Sequence, residues 1–297
     1  MFTIYAIIYL DGKLVRINPL WERVILMNKI LILGGSGLIG TAVINEMIQY
    51  NEFDVYSTYF QNPILLNQGK GFKLDIQDED NISSILDNLK PKIIISCLRG
   101  DFKKQLILHV KAAEYLRENS GSLYFFSTAN VFDNDLSRPH YEDDLPTAQT
   151  DYGQYKIECE KKISEILHDD ACILRIPQVF GKSSSRMREL LNLLNNNKEI
   201  TVYPKLYHNT NTDIMIAKQL CYIINSSLKG IFHLVSEDVV NYKNFYEELI
   251  TGLGFKNAII KENFEEEGYF ALLSKRINKF PKELRLTNKS VIKYLIN

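Results

Sequence analysis

Leu31-Ile-Leu-Gly-Gly-Ser-Gly-Leu-Ile-Gly40 decides the fold. The run Ile30 to Leu33 reads as a buried strand, a glycine-rich turn follows at once, and the pattern from Leu38 is helical. Gly35, Gly37 and Gly40 satisfy Gly-x-Gly-x-x-Gly, while Gly34, Gly37 and Gly40 satisfy Gly-x-x-Gly-x-x-Gly. Both spacings ask for the same physics. One glycine makes the tight turn, one lets backbone N–H groups approach a pyrophosphate, and one lets helix and strand pack closely. Phosphate charge then rests on the N-terminus of the helix beginning near Leu38. A glycine triplet alone is a weak signal, but this one follows a strand and opens an alternating α/β pattern, which favours a dinucleotide site over a merely tight turn.

Outward from that turn, strand-like runs fall at Asp54–Thr58, Lys92–Cys97, Leu123–Ser127 and Cys172–Ile176. Helical patterns at Leu38–Tyr50, Asn81–Leu89, Lys103–Leu116 and Tyr152–Leu167 separate them. Short apolar strands alternating with helices predict an α/β fold, a doubly wound (Rossmann) parallel sheet with its ligand crevice at the strands' carboxyl ends. The dinucleotide-binding domain is expected over residues 27–176. Residues 177–297, with helices at Met187–Leu194, Asp213–Ile224 and Asn244–Leu253 and a strand at Ile231–Val235, read as a smaller substrate-binding lobe interleaved with the sheet. Residues 1–26 precede the pattern. Asp11-Gly12 between two apolar runs suggests a β-hairpin over Met1–Ile17, and Met27 is a plausible start codon, so this leader is either an appended hairpin or a mis-assigned start.

Composition narrows the function. The 297 residues include 35 Lys plus Arg and 36 Asp plus Glu, a formal net charge of −1, with 45% hydrophobic and 24% charged residues. That is an ordinary globular mixture, without the basic surplus that nucleic-acid binding wants. Cys97, Cys159, Cys172 and Cys221 are scattered and make no zinc pattern, so reduced buried thiols are expected. The run Ile4 to Leu10 is too short to span a bilayer, and a cytoplasmic protein with no membrane partner follows.

An acid near the end of the second strand would bind the ribose hydroxyls of NAD. Here the chain reads Tyr56-Ser-Thr-Tyr59, and Asp54 comes too early. With no carboxylate to repel a 2′-phosphate, Ser57 or Thr58 is expected to hydrogen-bond one, pointing to NADPH with NADH possible. Asp75 is placed on the rim beside an adenine, or else serves a turn. The expected cofactor contacts are Gly34, Gly37, Leu38, Ile39, Gly40, Thr58, Asp75 and Ile176, and no metal site is expected. Tyr152 and Lys156, four residues apart, share one helical face. A nearby ammonium lowers a phenol's pKa toward the range useful for proton transfer. Tyr124-Phe-Phe-Ser-Thr128 ends an apolar strand in hydroxyls, where Ser127 or Thr128 is expected to donate a hydrogen bond to a substrate carbonyl. Strand alternation lets only one of the two face a substrate.

In this order and at these separations, the three elements resemble the extended short-chain dehydrogenase/reductase family, in its dTDP-4-dehydrorhamnose reductase-like, sugar-nucleotide-binding subgroup. The likeness is carried further by Ser127-Thr-Ala-Asn-Val-Phe-Asp133, Leu174-Arg-Ile-Pro-Gln-Val-Phe-Gly181, Gly230-Ile-Phe-His-Leu234 and Leu284-Arg-Leu-Thr-Asn-Lys-Ser290. The resemblance implies an oxidoreductase of cell-surface polysaccharide precursor synthesis, reducing the 4-keto group of a nucleotide-linked sugar. Tyr152 would supply the proton, Lys156 would hold the nicotinamide ribose and lower the tyrosine pKa, Thr128 would polarise the carbonyl with Ser127 as substitute, and a homodimer is possible. An NAD-dependent epimerase or dehydratase and a non-catalytic cofactor-binding subunit are the alternatives. Two departures bear on the substrate. Ser96-Cys-Leu-Arg-Gly-Asp-Phe-Lys104 is bulkier and more basic than the family's Asn-Ala-Ala-like turn, and Ala129-Asn130 replaces Asp-Tyr. Lys182, Arg186 and Arg188, or Lys275, Arg276, Lys279, Lys282 and Arg285, are candidate diphosphate contacts. Arg175 reads as structural and His140 as part of a surface turn.

Overall fold

The computed structural model describes residues 6–10, 13–17, 29–50, 53–63 and 70–297. In the N-terminal segment β1 (Ala6–Leu10) pairs antiparallel with β2 (Lys13–Ile17), while the expected Asp11-Gly12 turn lies outside the described residues. Met27 and the expected boundary beside it lie outside the described residues.

Seven strands build the main sheet: β3 (Lys29–Leu33), β4 (Asp54–Tyr59), β5 (Gly71–Lys73), β6 (Ile93–Ser96), β7 (Ser122–Thr128), β8 (Ala171–Ile176) and β13 (Gly230–His233). Their order is β13-β8-β7-β6-β3-β4-β5 and every pairing is parallel. From β3 the chain winds first toward β5 and then returns through β6 toward β13. The switch point therefore lies between the carboxyl ends of β3 and β6, where such sheets bind ligands.

The period of two along each strand serves both faces. Ile30, Ile32, Tyr124 and Phe126 join the core under helices α1 (Leu38–Tyr50) and α6 (Asp213–Asn225). Leu31, Leu33, Leu123 and Phe125 join the core under α2 (Glu79–Leu89), α3 (Phe102–Glu118) and α4 (Asp151–Leu167). Beyond β8, α5 (Ser185–Asn195), α7 (Tyr242–Gly252) and α8 (Asn288–Ile296) enclose a separate core. Short strands knit this lobe together: β9 (Gln178–Phe180) with β12 (Thr210–Thr212), β10 (Ile200–Val202) with β15 (Ile260–Glu262), and β11 (Lys205–His208) with β14 (Val240–Asn241) and β16 (Glu267–Phe270). Among the described residues no helix is long and apolar enough to cross a membrane, and no cluster of His, Cys, Asp and Glu could hold a metal.

Three buried thiols fulfil the cysteine expectation, and Cys97 is half-buried. His140 corrects the surface-turn reading. It is buried, stacks on Phe132 at 4.3 Å, and bonds the Asp135 carbonyl and the Asp144 carboxylate.

Candidate active site

The glycine turn ends β3 in a shape only glycine tolerates at two points. Gly34 has φ +77°, and a Cβ there would stand 2.9 Å from the Cys97 carbonyl oxygen. A Cβ on Gly40 would stand 2.4 Å from the Gly34 oxygen, so Gly40 lets α1 settle against the turn. Gly34, Gly37, Leu38, Ile39 and Asp75 all line a crevice of 460 Å³ at the switch point, together with Tyr152, Lys156 and Ile176. The expected cofactor residues thus converge, save Gly40, which packs the helix from behind.

Thr58 is a correction. It lines the crevice but is buried, and its hydroxyl accepts the Gly34 N–H at 3.0 Å, fastening the second strand to the glycine turn. Ser57 is fully buried. Neither hydroxyl is placed to meet a 2′-phosphate. Asp75 serves the turn, its carboxylate accepting the Gln77 N–H, and it also lines the crevice.

A second cavity of 460 Å³ adjoins the first, reaching into the lobe between Thr128, Asn130, Gln178, Arg186, His208 and Tyr242. Leu38, Ile39, Arg99, Tyr152 and Ile176 line both spaces. Tyr152 therefore stands in the partition, 39% exposed.

Local structure explains its place. Asp133 accepts the Gln149 N–H at 2.7 Å and the Thr150 hydroxyl, and Thr150 caps α4 by accepting the Gly153 N–H. A Cβ on Gly153 would lie 2.4 Å from the Asn130 oxygen. Glycine there lets the first turn of α4 lie against the 3₁₀ turn Ala129–Phe132, bringing Tyr152 to Thr128. The Thr128 hydroxyl also accepts the Asn130 N–H and donates to its side-chain oxygen.

Ser127, the substitute hydroxyl, lines the cofactor crevice, but its hydroxyl is engaged in the interior. It is buried and donates to Glu160, whose carboxylate pairs with Arg175 at 2.7 Å. Alternation sends Thr128 to the site and Ser127 to this internal ion pair. Arg175 is structural, as expected.

The electrostatics depart from expectation. Burial raises the Tyr152 phenol above its usual pKa, against opposing pulls from the Thr128 hydroxyl and the Arg99 charge. Lys156 holds its ammonium 5.9 Å from the Tyr152 ring centre. Its ammonium donates to the Phe126 carbonyl at 2.8 Å, lies over the Phe125 ring, and is pushed by burial down to about 8. Burial likewise holds His208 down at about 3, while its Nδ1 faces the Gln178 side-chain oxygen at 3.0 Å.

The basic candidates separate by geometry. Arg186 lines the second cavity, and Lys182 and Arg188 line a neighbouring one of 570 Å³. The tail is a correction. Arg276 bonds the Lys229 and Ile231 carbonyls, Arg285 bonds the Phe280 carbonyl, Lys275 pairs with Asp143 at the surface, and neither these nor Lys279 and Lys282 line the three cavities. Sequence reasoning passed over Arg99 and His208 as site residues. Arg99 was visible only as a departure, and His208 had no ligand-like spacing around it.

A family model described as the RmlD substrate binding domain matches residues 107–278. The chain belongs to this family. Within it, the chain is 24% identical over 238 residues to a dTDP-4-dehydrorhamnose reductase of Aggregatibacter actinomycetemcomitans, covering 74% of this chain and 77% of that one. It is 29% identical over 167 residues to the methionine adenosyltransferase 2 subunit beta of Danio rerio, covering 52% of this chain and 49% of the relative, so the match spans about half of that relative's length. Its fold is shared with the dTDP-4-dehydrorhamnose reductase of Bacillus anthracis str. Ames in complex with NADP, with a TM-score of 0.75 at 17% identity, covering 91% and 99% of the two chains.

Proposed function

We propose that this RmlD-family chain is an NAD(P)H-dependent reductase of the 4-keto group of a nucleotide-linked deoxysugar, serving polysaccharide precursor synthesis. One observation carries the reading: Tyr152 stands in the partition between the crevice behind the glycine turn and the lobe cavity, with Thr128 on the lobe side. The crevice suits a dinucleotide, because Gly34 and Gly37 present no side chain to it in front of the N-terminus of α1. NADPH is the proposed cofactor, with NADH as the alternative; the Bacillus anthracis neighbour is a complex with NADP. When bound, the reduced nicotinamide supplies the hydride.

The chain's own residues do the rest. Thr128 directs its hydroxyl toward the substrate oxygen and polarises the carbonyl. Tyr152 gives its proton to that oxygen as negative charge develops there. Lys156, buried at the floor of the crevice, holds the ribose. The lobe cavity presents two guanidinium groups, Arg99 and Arg186, and no carboxylate, which suits the diphosphate of a sugar nucleotide.

Absorbance of the reduced nicotinamide with a dTDP-4-keto-6-deoxy sugar tests the reading. Wild-type protein consumes NADPH, and Tyr152→Phe loses roughly 10²–10⁴-fold in turnover. Binding without consumption for any such ketose refutes it.

A second reading has its own support. The matched methionine adenosyltransferase relative bears the name of a subunit, so a cofactor-binding regulatory role is the alternative. Stable co-purification with an adenosyltransferase chain, without ketose turnover, selects that role.

A further inference from the structure

Tyr152 stands in the first turn of α4 and is more than a third exposed. A side chain so open keeps one direction only where a neighbour holds its ring, because fixing a rotamer costs entropy. Among the described residues the ring that meets it is Phe102, the first residue of α3, 5.8 Å away with the two planes tilted by 43°. Phe102 is itself fixed. It stacks on Tyr155, one turn further along α4, at 4.8 Å with the planes 5° apart. The Tyr155 hydroxyl donates to the Gln105 side-chain oxygen at 3.1 Å, and the Gln105 amide donates to the Gly100 carbonyl at 2.8 Å. Asp101 caps α3 by accepting the Lys104 N–H at 2.9 Å. Gly100 takes φ +139°, a conformation that favours glycine, where the chain passes from the crevice wall into α3.

We propose that Phe102 is a positioning residue, an aromatic brace that holds the Tyr152 ring in the partition between the crevice and the lobe cavity. The inference rests on the reductase reading and deepens it. Proton transfer needs the phenol oxygen within hydrogen-bond reach of the substrate oxygen, and a ring that wanders spends its time elsewhere. A tilted aromatic contact has a preferred geometry and is strong enough to favour one rotamer several-fold over its competitors. Thr128 and Lys156 bear on the phenol's oxygen and charge, whereas Phe102 bears on the body of the ring. Tyr155 supplies the anchor: its ring backs Phe102, and its hydroxyl ties α4 to α3 through Gln105. The bulky segment Ser96–Lys104, which departs from the family's small turn, thereby acquires a role, since a turn of small residues offers Tyr152 no such ring.

Fluorine NMR of the full chain labelled with 3-fluorotyrosine reads the ring directly, the Tyr152 signal being the one lost in Tyr152→Phe. The expected result is a narrower Tyr152 signal in Phe102→Leu, as the ring gains motion, while tyrosine signals remote from α3 keep their positions and show that the fold persists. Phe102→Met is the second aliphatic replacement, read in the same way. In single-turnover kinetics Phe102→Leu slows the chemical step roughly 2–10-fold, the worth of one aromatic contact. The NADPH dissociation constant stays unchanged, and Phe102→Tyr, which keeps the ring, restores the rate. An unaltered Tyr152 signal in both aliphatic variants overturns the proposal. So does an unchanged rate, a loss that falls on cofactor affinity instead, or a failure of Phe102→Tyr to recover it. The NMR arm needs no turnover. A protein whose Tyr152 signal narrows in Phe102→Leu but which consumes no NADPH overturns the reductase reading alone.

Discussion

Lys156 carries an ammonium into a nearly dry pocket, where one carbonyl bond only partly offsets its desolvation. Its pKa of about 8 lies below the ordinary 10.5. The unfolded state thus holds the extra proton between those values, and the folded state is penalised fully below pH 8 and not at all above 10.5. The shift corresponds to about 3 kcal/mol. Lys156→Met is therefore expected to raise Tm at pH 7 while turnover falls, and the Tm gain should fade as pH rises from 8 toward 10.5. Thermal melts across that range check it. Under the proposed reading the adenosine ribose lies beside Tyr59, Phe60, Asp75 and Gln77, none of them a cation, and the crevice's Arg99 and Lys156 belong to other segments, after β6 and on α4. NADPH and NADH are accordingly expected to bind within about tenfold of each other, since a charge-assisted bond is worth about 1.5–3 kcal/mol and none is offered. Fluorescence titration of both cofactors measures the ratio. Which residues were legible follows the same logic. Tyr152 and Thr128 could be read because spacing and strand-tip position place them. Thr58 and Ser127 could not, because the partners that claim their hydroxyls, Gly34 and Glu160, are distant in the chain.

Elements of eleven residues or more were readable within two residues at each end: the expected helix Lys103–Leu116 runs Phe102–Glu118, and Tyr152–Leu167 runs Asp151–Leu167. Their apolar periodicity extends over several turns. Strands β9 to β12 and β14 to β16 span two to four residues and contain too little pattern to detect. They build the lobe cavity, which is why fold and cofactor crevice were clearer beforehand than substrate space. The α4 junction shows what a short signal can hide. Gly153 sits between the two key residues of the Tyr-x-x-x-Lys pattern and sets the approach of the whole helix. Gly153→Ala would force its new methyl against the Asn130 carbonyl and the Ala148 Cβ, 2.6 Å away. A stability loss of roughly 1–3 kcal/mol is expected, together with a fall in kcat, as Tyr152 is pushed from Thr128. Calorimetry and kinetics on the same preparation measure both.

Burial disfavours the charged form of three imidazoles spread across the molecule. His109 sits between the Ser96 hydroxyl and the Cys159 thiol, His208 lies on the lobe cavity, and burial holds both down at about 3. Burial also lowers His233, beside Arg175. An unfolded chain protonates these rings near their ordinary 6.5, whereas the folded chain resists. Their stabilising contribution is complete above pH 6.5 and is lost as pH falls from there toward 3. Urea midpoints measured from pH 7.5 to 4.5 should decline steadily below 6.5, and His109→Gln should flatten part of the slope.

The lobe's pairings also set an order of events. β10 waits for β15, β11 waits for β16, and Asn288 at the start of α8 accepts the Thr210 hydroxyl. The glycine turn, by contrast, needs only β4 and β6 as sheet neighbours. On the ribosome, a nascent chain can pair the strands around the cofactor crevice before the lobe cavity is complete, although Phe280 must still arrive to finish the core beneath α1.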